Sequence, residues 1–176
     1  DIIPLLPQGL KTLVLDSATD EFVHFHTQGL KSPPLPESLR TLTYGYVFKG
    51  PYPAELPPRL ECLTTPYYPM GPLPPLPSTL RKLFIVGEDT TDIPIGSLPP
   101  NLEVLEMQAP CSPHLPKRLP DSLRKLVLGG TYGFGLHQPW PRNLVYLDLG
   151  DKYNQVLPPK EHMPPHLMYL RLGKNY

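Results

Sequence analysis

A chain of 176 residues is long enough for one domain with its own core, and its 16 Lys+Arg balance 16 Asp+Glu. With no net charge it lacks the long-range pull towards polyphosphate or anionic lipid that nucleic-acid and membrane-surface proteins use. Its 28 prolines are roughly three times the usual share, which rules out long helices, while 40% hydrophobic residues rule out the disordered proline-rich class.

The remaining material is strands and turns, and one motif supplies them eight times: Leu-Pro-x-x-Leu-x-x-Leu-x-apolar. It opens at Leu6-Pro7…Leu10…Leu13 and returns at Leu35-Pro36…Leu39…Leu42, Leu56…Leu60…Leu63 and Leu76…Leu80…Leu83. It continues at Leu98…Leu102…Leu105, Leu119…Leu123…Leu126, Trp140-Pro141…Leu144…Leu147 and Met163-Pro164…Leu167…Leu170. The middle leucines are spaced by 29, 21, 20, 22, 21, 21 and 23 residues. A regularity of that kind marks a stacked-repeat architecture with one short unit per repeat.

The sixth repeat shows how the unit works. In Leu123-Arg124-Lys125-Leu126-Val127-Leu128 the closing Leu-x-Leu alternates with the strand period of two, so Leu126 and Leu128 point inward. Lys125, Val127 and Gly129 then face out, and Leu123 enters the core from the approaching turn. The preceding Leu-Pro closes the far side, where fixed φ suits a backbone outside the hydrogen-bond ladder. Successive strands pair in parallel about 4.8 Å apart. One repeat cannot bury its leucines alone, so stability is expected to be spread along the array. Two irregularities stand out: a bulging loop of extra residues between Phe22 and Leu30, and Thr65-Pro66, which interrupts the apolar register and makes the third strand the expected weak point.

The strand is followed four times by Gly-x-x-aromatic, at Gly45…Phe48, Gly129…Tyr132, Gly150…Tyr153 and Gly173…Tyr176. With the seventh repeat, Leu147-Asp148-Leu149-Gly150-Asp151-Lys152-Tyr153-Asn154-Gln155-Val156-Leu157-Pro158, this resembles the FNIP (IP22) repeat, whose pattern is similar to Leu-Pro-x-Ser-Leu-x-x-Leu-x-Leu-Gly-x-x-Phe-Asn-x-x-Leu. Leu35 to Leu39 match its opening closely and Leu119 to Leu123 less fully. Thr19 and Thr90 replace the aromatic in two repeats, and asparagine follows it only at Asn154. A second resemblance is to bacterial effector leucine-rich repeats, which share the leucine core. Those usually carry asparagine after the strand, where this chain mostly has glycine or another residue, so FNIP is preferred. The resemblance implies a leucine-rich-repeat-type fold and protein-interaction modules known mainly from amoebae and their large DNA viruses. The glycine lets the chain turn out of the strand, and the aromatic is expected to stack on its counterparts in adjacent repeats.

The expected fold is mainly β: a right-handed solenoid with one parallel sheet face and a proline-rich, non-helical convex side. Residues 1–176 form a single solenoid of eight repeats of about 21 residues, or a fragment of a longer array, since neither Asp1-Ile2-Ile3 nor Tyr176 reads as a polar cap. Outward strand positions form two columns. One is Thr12, Thr41, Cys62, Lys82, Val104, Lys125, Tyr146, Tyr169; the other is Val14, Thr43, Thr64, Phe84, Glu106, Val127, Asp148, Arg171. Aromatics and arginine ringed by charge resemble interface anchors, which makes Lys82, Phe84, Glu106, Lys125, Tyr146, Asp148, Tyr169 and Arg171 the candidate partner-binding residues.

Chemistry is hard to place elsewhere. His24 and His26 lack further zinc ligands, and Pro164 and Pro165 prevent a helix between His162 and His166. His114 and His137 fall in connecting turns. Cys62 and Cys111 lie two repeats apart, beyond usual disulfide reach, and read as free thiols. No nucleophile elbow or phosphate loop appears. The sequence therefore points to a non-enzymatic protein-interaction module without cofactor or metal, bound by another protein or an assembly subunit rather than nucleic acid or membrane. A structural subunit of a large assembly, viral assemblies included, is the alternative, with end-to-end self-association through open repeats. A carbohydrate-binding or carbohydrate-processing solenoid is a third class, but it lacks a carboxylate cluster. Without a visible leader or a membrane-length apolar run, the expected location is cytoplasmic, or within a virion if the structural reading holds.

Overall fold

The computed structural model describes residues 6–15, 35–45, 52–66, 73–86, 98–108, 115–116, 118–129, 139–174 and 176. Each repeat supplies one strand: β1 (Thr12–Leu15), β2 (Thr41–Tyr44), β3 (Cys62–Pro66), β4 (Lys82–Val86), β5 (Val104–Met107), β6 (Lys125–Val127), β7 (Tyr146–Asp148) and β8 (Tyr169–Arg171). They form one sheet in chain order, β1 to β8, every neighbour parallel. Among the described residues the helical content is one 3-10 turn, Lys160–His162.

Register follows the leucines. Leu13, Leu42, Leu63, Leu83, Leu105, Leu126, Leu147 and Leu170 pair in succession, and the two expected outward columns pair beside them. A one-residue slip would turn a whole leucine column to solvent, which is why the register holds despite unequal repeat lengths. From the second repeat to the seventh, the strand and middle leucines are fully or almost fully buried. Each such leucine contributes about 1.5–3 kcal/mol.

Proline has a more specific place than the sequence suggested. In all eight repeats the middle leucine N–H donates to the carbonyl three residues earlier, as in Leu10 to Pro7 (3.0 Å), Leu123 to Pro120 (3.0 Å) and Leu167 to Pro164 (3.3 Å). The proline thus opens a tight turn directly before the strand, needing its acceptor but not the donor it lacks. The next two N–H groups then share one carbonyl of the preceding coil: Arg40 and Thr41 donate to Lys11, and Met168 and Tyr169 to Val145.

Polar side chains reinforce the same seam. Just before the middle leucine, Ser38 Oγ donates to the Leu10 carbonyl (2.7 Å), Thr79 Oγ1 to that of Leu60 (2.8 Å) and Ser122 Oγ to that of Leu102 (2.7 Å). Asn101 and Asn143 reach the Ser78 and Asp121 carbonyls at 3.0 and 2.9 Å. The serine of Leu-Pro-x-Ser-Leu therefore clamps its turn to the coil before it.

Two local expectations are corrected. Thr65 does not break the register of the third strand: β3 is five residues long, and Thr65 pairs with Ile85 while lying buried. Its hydroxyl is 2.6 Å from Tyr52 Oη, which itself donates to the Pro66 carbonyl at 2.8 Å, so the polar group enters the core already satisfied. Gly129 does not face out. It is buried after β6, where the next coil's Gly150 packs against its carbonyl. The Phe22–Leu30 loop lies outside the described residues, as do Phe48 and Tyr132. The aromatic stacking expected after the glycine is present at Tyr153, which is buried and stacks on Tyr176 with centroids 6.4 Å apart.

Tyr52 meets Tyr44 edge to face at 5.6 Å, and burial is the main force raising both phenols above their ordinary 10.0. The folded chain therefore holds these protons more tightly than the unfolded chain. Their contribution to stability is complete below about pH 10 and is lost as pH rises through the raised folded values. Denaturant midpoints across the alkaline range should stay level up to that point and then fall, alongside delayed phenolate absorbance. A decline beginning well below it would show that other groups control alkaline stability.

Candidate functional site

The outward positions of β4 to β8 converge because the strands stay in phase. Lys125, Tyr146 and Tyr169 are consecutive register partners, as are Glu106, Val127, Asp148 and Arg171. The structure therefore brings six of the eight candidate residues into one cluster at the β5–β8 end of the sheet. Phe84 and Lys82 lie one strand further on, with Phe84 beside Glu106 and Lys82 beside Val104.

An aromatic column organises the cluster. The Tyr146 and Tyr169 rings lie nearly parallel, 6° apart with centroids at 4.2 Å, and Lys125 Nζ sits 4.9 Å from the Tyr146 ring centre. The resulting sequence is ammonium, ring, ring, and the second ring is exposed. Loss of solvent is the first cause raising the Tyr146 phenol, with the Tyr169 hydroxyl adding to it.

Ion pairs lock the neighbouring column. Lys125 Nζ binds Glu106 Oε1 at 2.7 Å, and that hydrogen bond raises the ammonium above its ordinary value. Arg171 donates from one nitrogen to both oxygens of Asp148, at 3.1 and 3.0 Å, and from another to Asp151 Oδ1 at 2.6 Å. Asp148 holds the guanidinium above its usual range. Asp148 also accepts from the Gly150 N–H at 2.9 Å, so its carboxylate positions Arg171 and the turn rather than offering itself to a partner. Depth separates the signs: the Lys125 and Arg171 side chains are 38% and 42% exposed, Glu106 and Asp148 only 13% and 9%.

Asp151 escaped the sequence reading because it follows the Gly150 turn and does not alternate with the strand. A rim beside the face was missed as well. Residues immediately after the middle leucines pair across coils, Arg40 with Glu61 and Arg81 with Glu103. Charge alternation at a fixed repeat position was the available signal.

Other candidate chemistry stays apart. His162 and His166 are exposed, and among the described residues no three His, Cys, Asp or Glu side chains gather as a metal site would require. His24, His26, His114, His137 and Cys111 lie outside the described residues. Cys62 is a free thiol on the sheet face, raised above its ordinary value by burial and partly offset by Lys82. Among the described residues no helix is long and apolar enough to cross a membrane.

No protein-family model matches the chain, and no curated protein matches it in sequence. Similar solved structures include the following two. One is CroV588, a circular LRR protein, with a TM-score of 0.56 and 21% identity over 94% of this chain and 27% of that one. The other is YopM from Yersinia enterocolitica WA-314, with a TM-score of 0.45 and 24% identity over 82% of this chain and 40% of that one. This chain thus spans well under half the length of either. The first likeness shows the fold: a leucine-rich-repeat solenoid.

Proposed function

We propose that this leucine-rich-repeat solenoid is a non-enzymatic protein-interaction module of the FNIP type, whose contact surface is the outward face of β4 to β8. The observation that carries the reading is the Tyr146–Tyr169 stack, an exposed rigid aromatic surface fixed by Lys125 on one side and bordered by the Asp148–Arg171 pair. Rigid aromatics bordered by organised charge are the usual anchors of protein interfaces, because little side-chain freedom is lost on contact. Glu106 and Asp148 are each tied into an ion pair, which suits them to orientation rather than proton transfer. The Gly150…Tyr153 and Gly173…Tyr176 elements, with their stacked rings, support the FNIP assignment. The reading takes residues 1–176 as one solenoid of eight repeats, whole or part of a longer array, working in the cytoplasm on a protein partner.

Affinity capture from the native source tests it by comparing the parent chain with Tyr146→Ala/Tyr169→Ala. The double variant should lose at least about tenfold of the specifically captured partner while keeping a cooperative melt. Equal capture by both chains would remove the face from consideration.

A structural role in a larger assembly, a virion included, is the second reading. One observation favours it: Leu170 is 37% exposed although Leu147, its register partner, is fully buried. A further layer on β8 would cover it. Light scattering that shows concentration-dependent growth, abolished by Leu170→Lys, would favour this role over a monomeric module.

A further inference from the structure

The sheet face and its rim carry an excess of positive charge on a molecule that is neutral overall. On the two outward columns the charged residues are three cations, Lys82, Lys125 and Arg171, against two anions, Glu106 and Asp148. Along the rim, at the position after each middle leucine, stand four more cations, Lys11, Arg40, Arg81 and Arg124, against Glu61 and Glu103. Asp151, which also holds Arg171 from the edge of the face, brings the anions to five, so the surface is two charges positive and the rest of the chain must be two charges negative to return the overall balance to zero.

Depth increases the contrast. Glu106 and Asp148 are far less exposed than Lys125 and Arg171, so an approaching molecule meets these two cations before it meets those two carboxylates, while Asp151 stays as open as the Arg171 it holds. Lys82 is exposed and enters no ion pair among the described residues. Glu106 fixes Lys125 against the Tyr146 ring, Asp148 and Asp151 fix Arg171, and this side of the sheet presents N–H donors and phenol rings.

We infer that the occupant of this face is an acidic polypeptide segment, laid across the strands from Lys82 on β4 to Arg171 on β8. The inference rests on the reading of this face as a protein-contact surface. Four strand steps of about 4.8 Å span about 19 Å, which an extended segment of about six residues covers. A carboxylate near each end would reach Lys82 and Arg171, and an apolar or aromatic residue between them would lie on the Tyr146–Tyr169 stack. Nucleic acid fits less well. Its evenly spaced phosphates would be forced against Glu103, Glu106 and Asp151, whereas the isolated carboxylates of a polypeptide can be placed between them.

Selection of a displayed random dodecapeptide library on the whole immobilised chain tests the inference. Enriched peptides should be net acidic. Their synthetic fluorescent versions should bind at least about tenfold more weakly to Lys82→Glu and weaken several-fold as salt is raised. Lys125→Ala gives a second measurement that does not depend on Lys82, and thermal melts show that both variants are folded. Enriched peptides that are neutral or basic, yet lose binding to Tyr146→Ala/Tyr169→Ala, would overturn the acidic partner and keep the face. Peptides indifferent to every one of these substitutions, or no enrichment, would overturn both. A labelled oligonucleotide bound more tightly than the selected peptides would also overturn the inference.

Discussion

Replacing Gly150 with alanine should be among the most damaging single changes in this chain, lowering stability by about 4 kcal/mol or more. Two costs combine. The residue sits at φ 77°, the left-handed region that costs a side-chain-bearing residue about 1–2 kcal/mol. A methyl group there would also lie 2.3 Å from the Gly129 carbonyl oxygen and 2.7 Å from that of Leu128. Both obstacles are backbone, so no rotamer change relieves them. The sixth and seventh coils would have to part, straining the Leu128 N–H bond to the Asp148 carbonyl and the Asp148 side-chain bond to Gly150. Denaturant midpoints measure the effect, with Gly9→Ala as control: nothing lies within 4 Å of its added methyl, so its change should stay within about 0.5 kcal/mol. If Gly150→Ala unfolds at the parental midpoint, the coils do not approach this closely.

Leu105→Ala should cost about 2–5 kcal/mol, the range for a leucine removed from a core that cannot close around the gap. Leu105 is fully buried between Leu83 and Leu126, with coils on both sides. Leu170→Ala removes the same atoms from the same column but should cost about 1 kcal/mol or less, because that side chain is already in partial contact with water. The comparison isolates stacking from residue type. In a solenoid each coil contacts its neighbours alone, so hydrogen exchange in Leu105→Ala should accelerate first around β4 to β6 and last at β1 and β8. Uniform acceleration along the chain would mean one global cooperative unit instead.

The strand columns were legible in the sequence because two periods reinforce each other: alternation by two within a strand, and recurrence near 21 residues between strands. Together they assigned Lys125, Tyr146 and Tyr169 to one column and Glu106, Val127, Asp148 and Arg171 to the next. Neither period reports depth. Asp148 alternates as an outward residue, yet its neighbour's guanidinium and its own turn enclose it. Thr65 looked like a fault in the core because its answering hydroxyl, on Tyr52, comes from the preceding connection rather than from an adjacent repeat position. Gly129 follows the alternation on paper, but the chain has already left β6, and Gly150 of the next coil covers it. In each case the missing information was a contact between coils made outside the strand alternation.

The clamps that join successive turns all point the same way. Ser38, Thr79, Asn101, Ser122 and Asn143 each donate to a carbonyl lying earlier in the chain, as do the paired N–H groups entering every strand from β2 onward. During synthesis, the acceptors for a newly emerged coil therefore already belong to a finished surface, while no coil needs a later one to satisfy these particular donors. Leaving the ribosome, such a chain can be laid down like courses of brick, each setting on the one beneath. For these donors the polarity of translation and the polarity of the bonds coincide, and growth from the amino-terminal end never leaves them waiting, whereas Leu128 and Leu149 donate forward to Asp148 and Arg171.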